Sequence, residues 1–224
     1  MGKCANLLEN DAEKLKGKWL KVYPQYDSLE LELGCGKGRF TAELAEEYKN
    51  ILLVAVERVE SAMVIAMERI ADRNLSNVRF IDNDVSKITD MFENNEVGRI
   101  YINFCDPWPK SRDAKFRLTA PGFLRKYADV LRNGGEIQFK TDNKPLFDWS
   151  LEQFSSEQWE LREVTNNLHK DSPNGIMTDY EAKFYAEGLP INRLVAVKTE
   201  KTKTTADGEV PRLRNAALSD ARNN

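Results

Sequence analysis

Apolar residues along this chain recur at two spacings, one typical of buried strands and the other typical of amphipathic helices. Residues 29–33 and 51–57 form short alternating or apolar runs that predict strands. Between them, Phe40, Leu44 and Tyr48 recur every four residues and predict one face of a helix. The same succession of strand and helix continues to residue 198, which predicts an α/β fold with a mostly parallel sheet and helices on both faces.

Seven strands are predicted, and the last two are expected to pair antiparallel at one edge because they follow a longer, irregular connection. The fourth, residues 99–104, should lie next to the first. Ser61 is the expected N-cap of the second helix, and Gly134 and Gly135 are expected to end the helix that begins near Pro121. The predicted strands are residues 29–33, 51–57, 78–81, 99–104, 136–141, 159–165 and 192–198.

Composition and charge narrow the class of protein. The chain has 224 residues, of which 41% are hydrophobic, and this suits a single domain, expected over residues 1–200. From residue 201 the aromatic residues and the periodicity end, so residues 201–224 are expected to form a disordered tail. The net charge of −3 gives no general attraction for nucleic acid, which would need a local cationic cluster. No apolar run is long enough to span a membrane, and the first residues lack a signal-peptide pattern.

Three cysteines and one histidine bear on redox state and metal binding. Cys4, Cys35 and Cys105 show no C-x-x-C spacing, so neither a disulfide framework nor a zinc site is expected. A reducing, cytoplasmic setting is therefore the default expectation. His169 lies in an irregular stretch and is expected to be a surface or structural residue.

A glycine-rich segment, LELELGCGKGRF, follows the first strand and places Gly34, Gly36 and Gly38 at the turn into the first helix. Glycines there permit a tight turn and let a ligand approach the backbone at the helix N-terminus. The dinucleotide pattern G-x-G-x-x-G fails because Arg39 stands at the third glycine position, which disfavours a nicotinamide-dependent oxidoreductase. The phosphate-binding pattern fails as well, since it requires G-K-[ST]. A turn used only for packing is the alternative.

An acid, Glu32, precedes the first glycine by two positions. The resulting E-x-G-x-G-x-G pattern resembles motif I of the class I S-adenosylmethionine-dependent methyltransferases, which have a Rossmann-like fold. The resemblance implies S-adenosylmethionine as the cofactor, whose positive sulfonium and ammonium groups suit a nearby carboxylate. By the same analogy, Glu57 at the end of the second strand would accept hydrogen bonds from the ribose hydroxyls, and Asp84 would approach the adenine. Glu57 as a solvated strand end is the alternative.

The segment INFCDPWPKSRDAKFRLT, residues 102–119, places Asp106 where a predicted strand ends, beside the expected ligand position. Three chemistries compete there. A D-P-P-Y-like tetrapeptide marks amino methyltransferases, but DPWP differs at its third and fourth residues. Cytosine C5 enzymes use a loop cysteine, but Cys105 precedes the acid and lacks the Pro-Cys order, so it is expected to pack in the core.

The third chemistry follows from a resemblance of the whole segment to the motif N-F-S-D-P-W-P-K-x-R-H-x-K-R-R-L of bacterial tRNA (guanine-N7-)-methyltransferases. KTDN (residues 140–143) and IMTDYEAKF (residues 176–184) resemble further motifs of that family. The resemblance implies methyl transfer from S-adenosylmethionine to N7 of a guanosine in tRNA, at variable-loop position 46. Guanine N7 carries a lone pair and no proton, so alignment of the reacting atoms and a carboxylate near the developing charge suffice, without a strong base.

Residue roles implied by this resemblance fall into three groups. Asp106 is the implied catalytic residue, and the implied cofactor-binding residues are Glu32, Gly34, Gly36, Gly38, Glu57, Asp84 and Asp106. The implied substrate-binding residues are Lys110, Asp142, Thr178, Asp179, Tyr180 and Glu181. Among these acids, the candidates for the guanine edge are Asp106, Asp142 and Glu181. The implied RNA-contacting residues are Arg112, Asp113, Ala114, Lys115, Phe116 and Arg117.

Three residues depart from the family motif. Cys105 replaces a serine, Asp113 stands where histidine is common, and Phe116 stands where arginine is common. The last two make the segment less cationic. Two other functions stay open at this point: methylation of a different RNA base, and RNA binding without catalysis on the same fold. The expected partner is tRNA, with no membrane and no metal, and the chain is expected to be a monomer or homodimer.

Overall fold

A computed structural model describes residue 4 and residues 6–208 of the chain. Its strands form one seven-stranded sheet in the order β3-β2-β1-β4-β5-β7-β6. β7 is antiparallel to both of its neighbours, and the remaining neighbours pair in parallel. The predicted fold class is confirmed. The strands are β1 (Ser28–Leu33), β2 (Ile51–Glu57), β3 (Val78–Asp82), β4 (Val97–Asn103), β5 (Leu131–Thr141), β6 (Glu160–Thr165) and β7 (Asn192–Val197).

Helices cover both faces of the sheet, and the alternation of side chains along the strands creates a core on each face. In β2, Leu52, Val54 and Val56 join the core beneath α5, α6 and α7, whereas Leu53 and Ala55 join the core beneath α3 and α4. The α-helices are α1 (Ala12–Leu15), α2 (Trp19–Val22), α3 (Arg39–Glu47), α4 (Glu60–Asp72), α5 (Ile88–Met91), α6 (Pro121–Val130), α7 (Lys144–Ser156) and α8 (Asp179–Ala186). Short 3₁₀ helices cover Val85–Lys87, Ser111–Phe116 and Thr205–Gly208.

Two predicted helix boundaries are wrong. Helix α4 begins two residues earlier than a cap at Ser61 implies, at Glu60 after Val59, so Ser61 lies inside the helix and is not its cap. Helix α6 begins at Pro121 as expected but ends at Val130, and Gly134 and Gly135 lie within β5. The glycines serve the sheet there, since Gly134 has a φ of +74° and a Cβ on Gly135 would lie 3.0 Å from the carbonyl oxygen of Gly98 in β4.

The two ends of the described chain pack against the domain. Leu8 pairs in parallel with Phe80, and the N–H of Glu9 donates to the carbonyl of Phe80 at 2.8 Å, so this segment extends the sheet beyond β3. At the other end, the Thr205 hydroxyl donates to Asp129 at 2.6 Å, so residues 201–208 differ from the predicted disordered tail. The remainder of that predicted tail, residues 209–224, lies outside the described residues. Within residues 6–208, no helix combines the length and the apolar character needed to cross a bilayer.

Gly38 provides a test of the close packing between α3 and α4. It has a φ of +72°, and an added Cβ would lie 2.6 Å from the Cβ and 2.9 Å from the Cα of Ala66. Gly36 has a φ of +55°, but a Cβ there would meet no described atom within 4 Å. Gly36→Ala should therefore cost only backbone strain, about 1–2 kcal/mol, whereas Gly38→Ala adds overpacking of a further ~1–3 kcal/mol.

Urea unfolding of both variants measures this difference. Equal free energies of unfolding for Gly36→Ala and Gly38→Ala would contradict the close approach of α3 and α4 at Ala66.

Candidate active site

Polar side chains gather at the edge of the sheet where the parallel strands end. Glu32 lies near the end of β1, Glu57 ends β2 and Asn103 ends β4. The strand order runs outward from β1 in one direction and from β4 in the other, so the chain reverses between these two neighbours. Open α/β sheets bind ligands at this reversal point, and the structure places the predicted cofactor residues around it.

The glycine turn after β1 is shaped by Glu57. Gly34, Gly36 and Gly38 all have positive φ values, of 78°, 55° and 72°. The Glu57 carboxylate accepts a hydrogen bond from the N–H of Gly36 at 2.9 Å, and its other oxygen accepts from the N–H groups of Arg58 and Val59. A carboxylate offers roughly four acceptor positions, so about one is left for a ligand hydroxyl. The turn therefore has open space at Gly34 and Gly36, and the Glu57 carboxylate provides one remaining acceptor position next to that space.

Glu32 is buried near the end of β1, just before this turn. Its carboxyl accepts a hydrogen bond from the Thr41 hydroxyl at 2.5 Å and a longer one from the Asn103 amide at 3.5 Å. Burial raises the pKa of Glu32 to about 7. The Oδ1 atom of Asn103 is also buried and has no hydrogen-bond partner among the described residues. The Glu32 carboxyl and Oδ1 of Asn103 are thus two neighbouring acceptors, and the second has no described donor. This arrangement suits an ammonium group, which carries three donors and no acceptor.

Three further predicted acids lie in exposed turns. Asp84 caps the 3₁₀ helix Val85–Lys87, and hydrogen bonds from Ser86 hold its pKa below the usual value. Asp106 follows β4 by three residues, and Asp142 follows β5 directly. Among the described residues, no group donates a hydrogen bond to the carboxylate of either Asp106 or Asp142, so both can interact with a ligand.

The turn that carries Asp106, here called the proline loop (residues 105–109), is followed by a cationic segment (residues 110–117). Lys110, Arg112 and Lys115 are exposed in that segment, and Asp113 lies 3.8 Å from the guanidinium of Arg112. Arg117 differs from these cations, because its guanidinium points back to the proline loop.

Two departures from the family motif have structural consequences here. The ring of Phe116 packs 5.4 Å from the ring of Trp108, between ring centroids. Burial raises the pKa of the Cys105 thiol to about 12, and this residue packs against the core. A protonated, core-packed thiol is a poor nucleophile, which agrees with the expectation of a packing cysteine.

The predicted substrate-binding run Thr178 to Glu181 forms the start of α8. The Thr178 hydroxyl accepts from the N–H of Glu181 at 3.0 Å, and the Glu181 carboxylate accepts from the N–H of Thr178 at 3.3 Å. These two bonds form a capping box. Asp179 pairs with Arg69 at 3.2 Å, and Tyr180 is exposed over 66% of its surface. The four residues therefore point in different directions.

Glu181 is fully buried in an ionic network that sequence reasoning missed. Its carboxylate lies 2.5 Å from Nζ of Lys140 and 2.9 Å from Nε2 of His169. Nδ1 of His169 accepts from the N–H of Asn174 at 3.1 Å, so the ring proton is on Nε2 and is donated to Glu181. Lys140 also donates to the carbonyl of Ile176 at 2.8 Å. The network fastens α8 and the connection before it to β5, and it makes His169 structural and not a surface residue.

The sequence does contain one signal for this arrangement. T-x-x-E from Thr178 to Glu181 is the pattern of a capping box, which predicts a glutamate turned back onto the start of the helix. Contact between Glu181 and a guanine edge has no support in this geometry, because the carboxylate is buried and satisfied. Within the described part of the chain, no group of three or more His, Cys, Asp or Glu side chains could hold a metal ion.

Comparison with known proteins gives a consistent result. The family model Methyltransf_4, described as "Putative methyltransferase", matches residues 27–194. The chain is 43% identical over 193 residues to the tRNA (guanine-N(7)-)-methyltransferase of Clostridioides difficile (strain 630), covering 86% of this chain and 90% of that protein. It is 41% identical over 190 residues to the tRNA (guanine-N(7)-)-methyltransferase of Bacillus subtilis (strain 168), covering 84% and 89%. Among solved structures, the 16S rRNA methyltransferase KamB has a TM-score of 0.64 at 16% identity, covering 82% of this chain and 93% of that one, which shows the shared fold.

The raised pKa of Glu32 predicts a pH-dependent stability. The unfolded chain loses this proton near pH 4.5 and the folded chain near pH 7, so the contribution of Glu32 to stability is full below pH 4.5 and declines as the pH rises to about 7. The difference in free energy of unfolding between the wild type and Glu32→Gln should change by about 3–4 kcal/mol across this window, since one pKa unit corresponds to about 1.4 kcal/mol. Urea unfolding of the ligand-free protein at several pH values measures it, and parallel curves for the two proteins would refute the assignment.

The buried network predicts a second stability effect. Lys140→Met leaves the Glu181 carboxylate buried without its cation, which should cost about 3–5 kcal/mol. Arg69→Met is the matched control, because it removes the partly exposed partner of Asp179, which lies on α8 like Glu181. This change should cost less than about 1 kcal/mol. Urea unfolding compares the two, and similar losses would show that the Lys140–Glu181 pair is no more important than a surface pair.

Proposed function

This chain belongs to the tRNA (guanine-N(7)-)-methyltransferase family, and we propose that the residues around its glycine turn and proline loop transfer a methyl group from S-adenosylmethionine to N7 of a guanosine in tRNA. The observation that carries this assignment of the site is the position of Asp106. Its exposed carboxylate lies beyond β4, at the strand reversal, and beside the strand whose glycine turn has open space for a ligand. Position 46 of the variable loop is the target that the family motif implies.

The cofactor fits the donor and acceptor groups of this edge. S-adenosylmethionine supplies a methyl group on a positively charged sulfonium. We assign Glu32 and Oδ1 of Asn103 to the ammonium of its amino-acid part, because Oδ1 of Asn103 is a buried acceptor without a described donor and the neighbouring Glu32 carboxyl accepts only from Thr41 and Asn103. Glu57 has about one acceptor position left for a ribose hydroxyl, and Asp84 would lie toward the adenine. Gly34 and Gly36 leave room for the backbone approach.

The reaction requires positioning and charge stabilisation more than proton transfer. Guanine N7 has an in-plane lone pair and no proton, so its alignment with the methyl carbon and the sulfur is the main requirement. The methylated ring gains positive charge, which a carboxylate at Asp106 would stabilise. The N1–H and N2–H groups of guanine are donors, and the exposed carboxylate of Asp142 is free of described donors and suits them. We assign Lys110 to the O6 acceptor or to a neighbouring phosphate.

The cationic segment is the proposed contact with the tRNA backbone. Lys110, Arg112 and Lys115 are exposed and can each approach a phosphate. Asp113 lies near Arg112 and lowers the local positive charge. Every group named here belongs to one chain, which is compatible with the expected monomer or homodimer. We place the reaction in the cytoplasm, in keeping with the free cysteines at positions 4, 35 and 105.

Nucleoside analysis tests the function and its two exposed acids together. After incubation with S-adenosylmethionine and unmodified tRNA, digestion and mass spectrometry should show 7-methylguanosine for the wild type. Asp106→Asn and Asp142→Asn should each lower kcat by on the order of 100-fold, since each removes a charge that acts on the reacting base. Asp148→Asn is the control, because Asp148 is an exposed acid of α7 that pairs with Lys144.

The outcomes separate the alternatives. Another methylated base in place of 7-methylguanosine would overturn the substrate assignment. Calorimetric binding of S-adenosylmethionine without any methyl transfer would indicate an RNA-binding protein that keeps the fold. Turnover close to wild type for either aspartate variant would remove that residue from the mechanism.

A further inference from the structure

The proline loop has a backbone conformation that needs support from its surroundings. Phe104, directly before the loop, and Trp108, within it, have φ values of +53° and +41°, in the left-handed region that large side chains rarely adopt. Pro107 and Pro109 have no N–H groups, so the loop has few donors of its own to satisfy its carbonyl groups. Residues in such conformations persist only when neighbouring groups hold them.

Arg117 supplies that support. Its Nε donates to the carbonyl of Pro107 at 3.0 Å and also approaches the carbonyl of Trp108 at 3.3 Å, and its Nη2 donates to the carbonyl of Trp108 at 2.9 Å. The guanidinium lies over the ring of Trp149 in α7, 4.4 Å from the ring centroid. Arg117 therefore joins the proline loop to a helix of the rigid core.

The backbone of Arg117 is fixed as well. Its N–H donates to the carbonyl of Ala114 at 3.2 Å, and its carbonyl accepts from the N–H of Ala120 at 2.9 Å, directly before α6. Lys115, two residues earlier, is exposed, and its Nζ lies 5.1 Å from the centroid of the Phe116 ring. The cationic segment thus contains one arginine engaged inside the protein and neighbouring cations that face solvent.

We propose that Arg117 is a positioning residue for the catalytic loop and not a contact with tRNA phosphate. By holding the carbonyls of Pro107 and Trp108, it fixes the turn immediately after Asp106, whose own backbone is restricted because a proline follows it. The planar fork of the guanidinium reaches two carbonyls at once, which an ammonium cannot reproduce in the same geometry. This inference rests on the proposed function of Asp106 in methyl transfer.

The test compares Arg117→Lys, Arg117→Met and Lys115→Met in the full-length protein, with steady-state methyl transfer to tRNA and the salt dependence of tRNA binding as readouts. A misplacement of about 1 Å at a reacting group costs on the order of 100-fold in rate, so both Arg117 variants should lose about that factor in kcat. Their KM for tRNA and their salt slope should match the wild type. Lys115→Met should instead raise KM and reduce the salt slope by roughly one unit, since it removes a phosphate contact.

Arg117→Lys keeps the positive charge, so its kcat decides between positioning of the proline loop and contact with a tRNA phosphate. A phosphate contact tolerates lysine, so near wild-type kcat in Arg117→Lys, or a reduced salt slope in Arg117→Met, would overturn the proposal. Urea unfolding of each variant confirms that it is folded at the assay temperature, and Arg117→Lys decides the question where Arg117→Met is unfolded. A wild type that yields no methylated nucleoside would overturn the proposed function and this inference with it, whereas an active wild type with unaffected Arg117 variants overturns this inference alone.

Discussion

The covering of both faces of the parallel sheet is the constraint on which the rest of the structure depends. Residues such as Leu53 and Val54 in β2 are fully buried on opposite faces, so neither face has room for a substrate. Functional side chains can gather only at the ends of the strands, and the strand reversal between β1 and β4 provides the opening there. The glycine turn and the proline loop are the connections that leave these two neighbouring strands.

Carboxylates at this edge differ in role because their surroundings differ. Glu32 is buried against Thr41 and Asn103, and its raised pKa reflects the cost of burying an ionised carboxylate, which exceeds the opposing effects of its hydrogen bonds and of Lys140. Glu181 is equally buried but has Lys140 and His169 beside it, so it serves as an anchor for α8. Asp106 is exposed and accepts no hydrogen bond from a described residue, which leaves it for the substrate. The motif resemblance alone assigns all of these acids to the site, whereas the burial of each side chain distinguishes their roles.

Local sequence patterns predicted the seven strands well, because alternation and apolar runs report directly on burial. These patterns failed where the end of a helix or strand depends on a contact with a residue far away in the sequence. Gly134 and Gly135 resemble a helix end in sequence, but Gly135 is needed where β5 passes close to Gly98. The network of Glu181 with Lys140 joins residues from α8 and β5, and no local pattern reports such a contact, although T-x-x-E predicts that the glutamate turns inward.

The cationic segment shows why positive charge alone is a poor guide to an RNA-binding surface. A loop with two prolines leaves carbonyl groups that its own backbone cannot satisfy, and an arginine in the following turn is well suited to meet them. Phe116 contributes to the same structure, since its ring packs on Trp108. An aromatic residue at this position therefore replaces a possible phosphate contact with packing that supports the proline loop. Part of the apparent cationic character of the motif thus belongs to the folding of the active-site loop, and the exposed residues Lys110, Arg112 and Lys115 are left for the tRNA backbone.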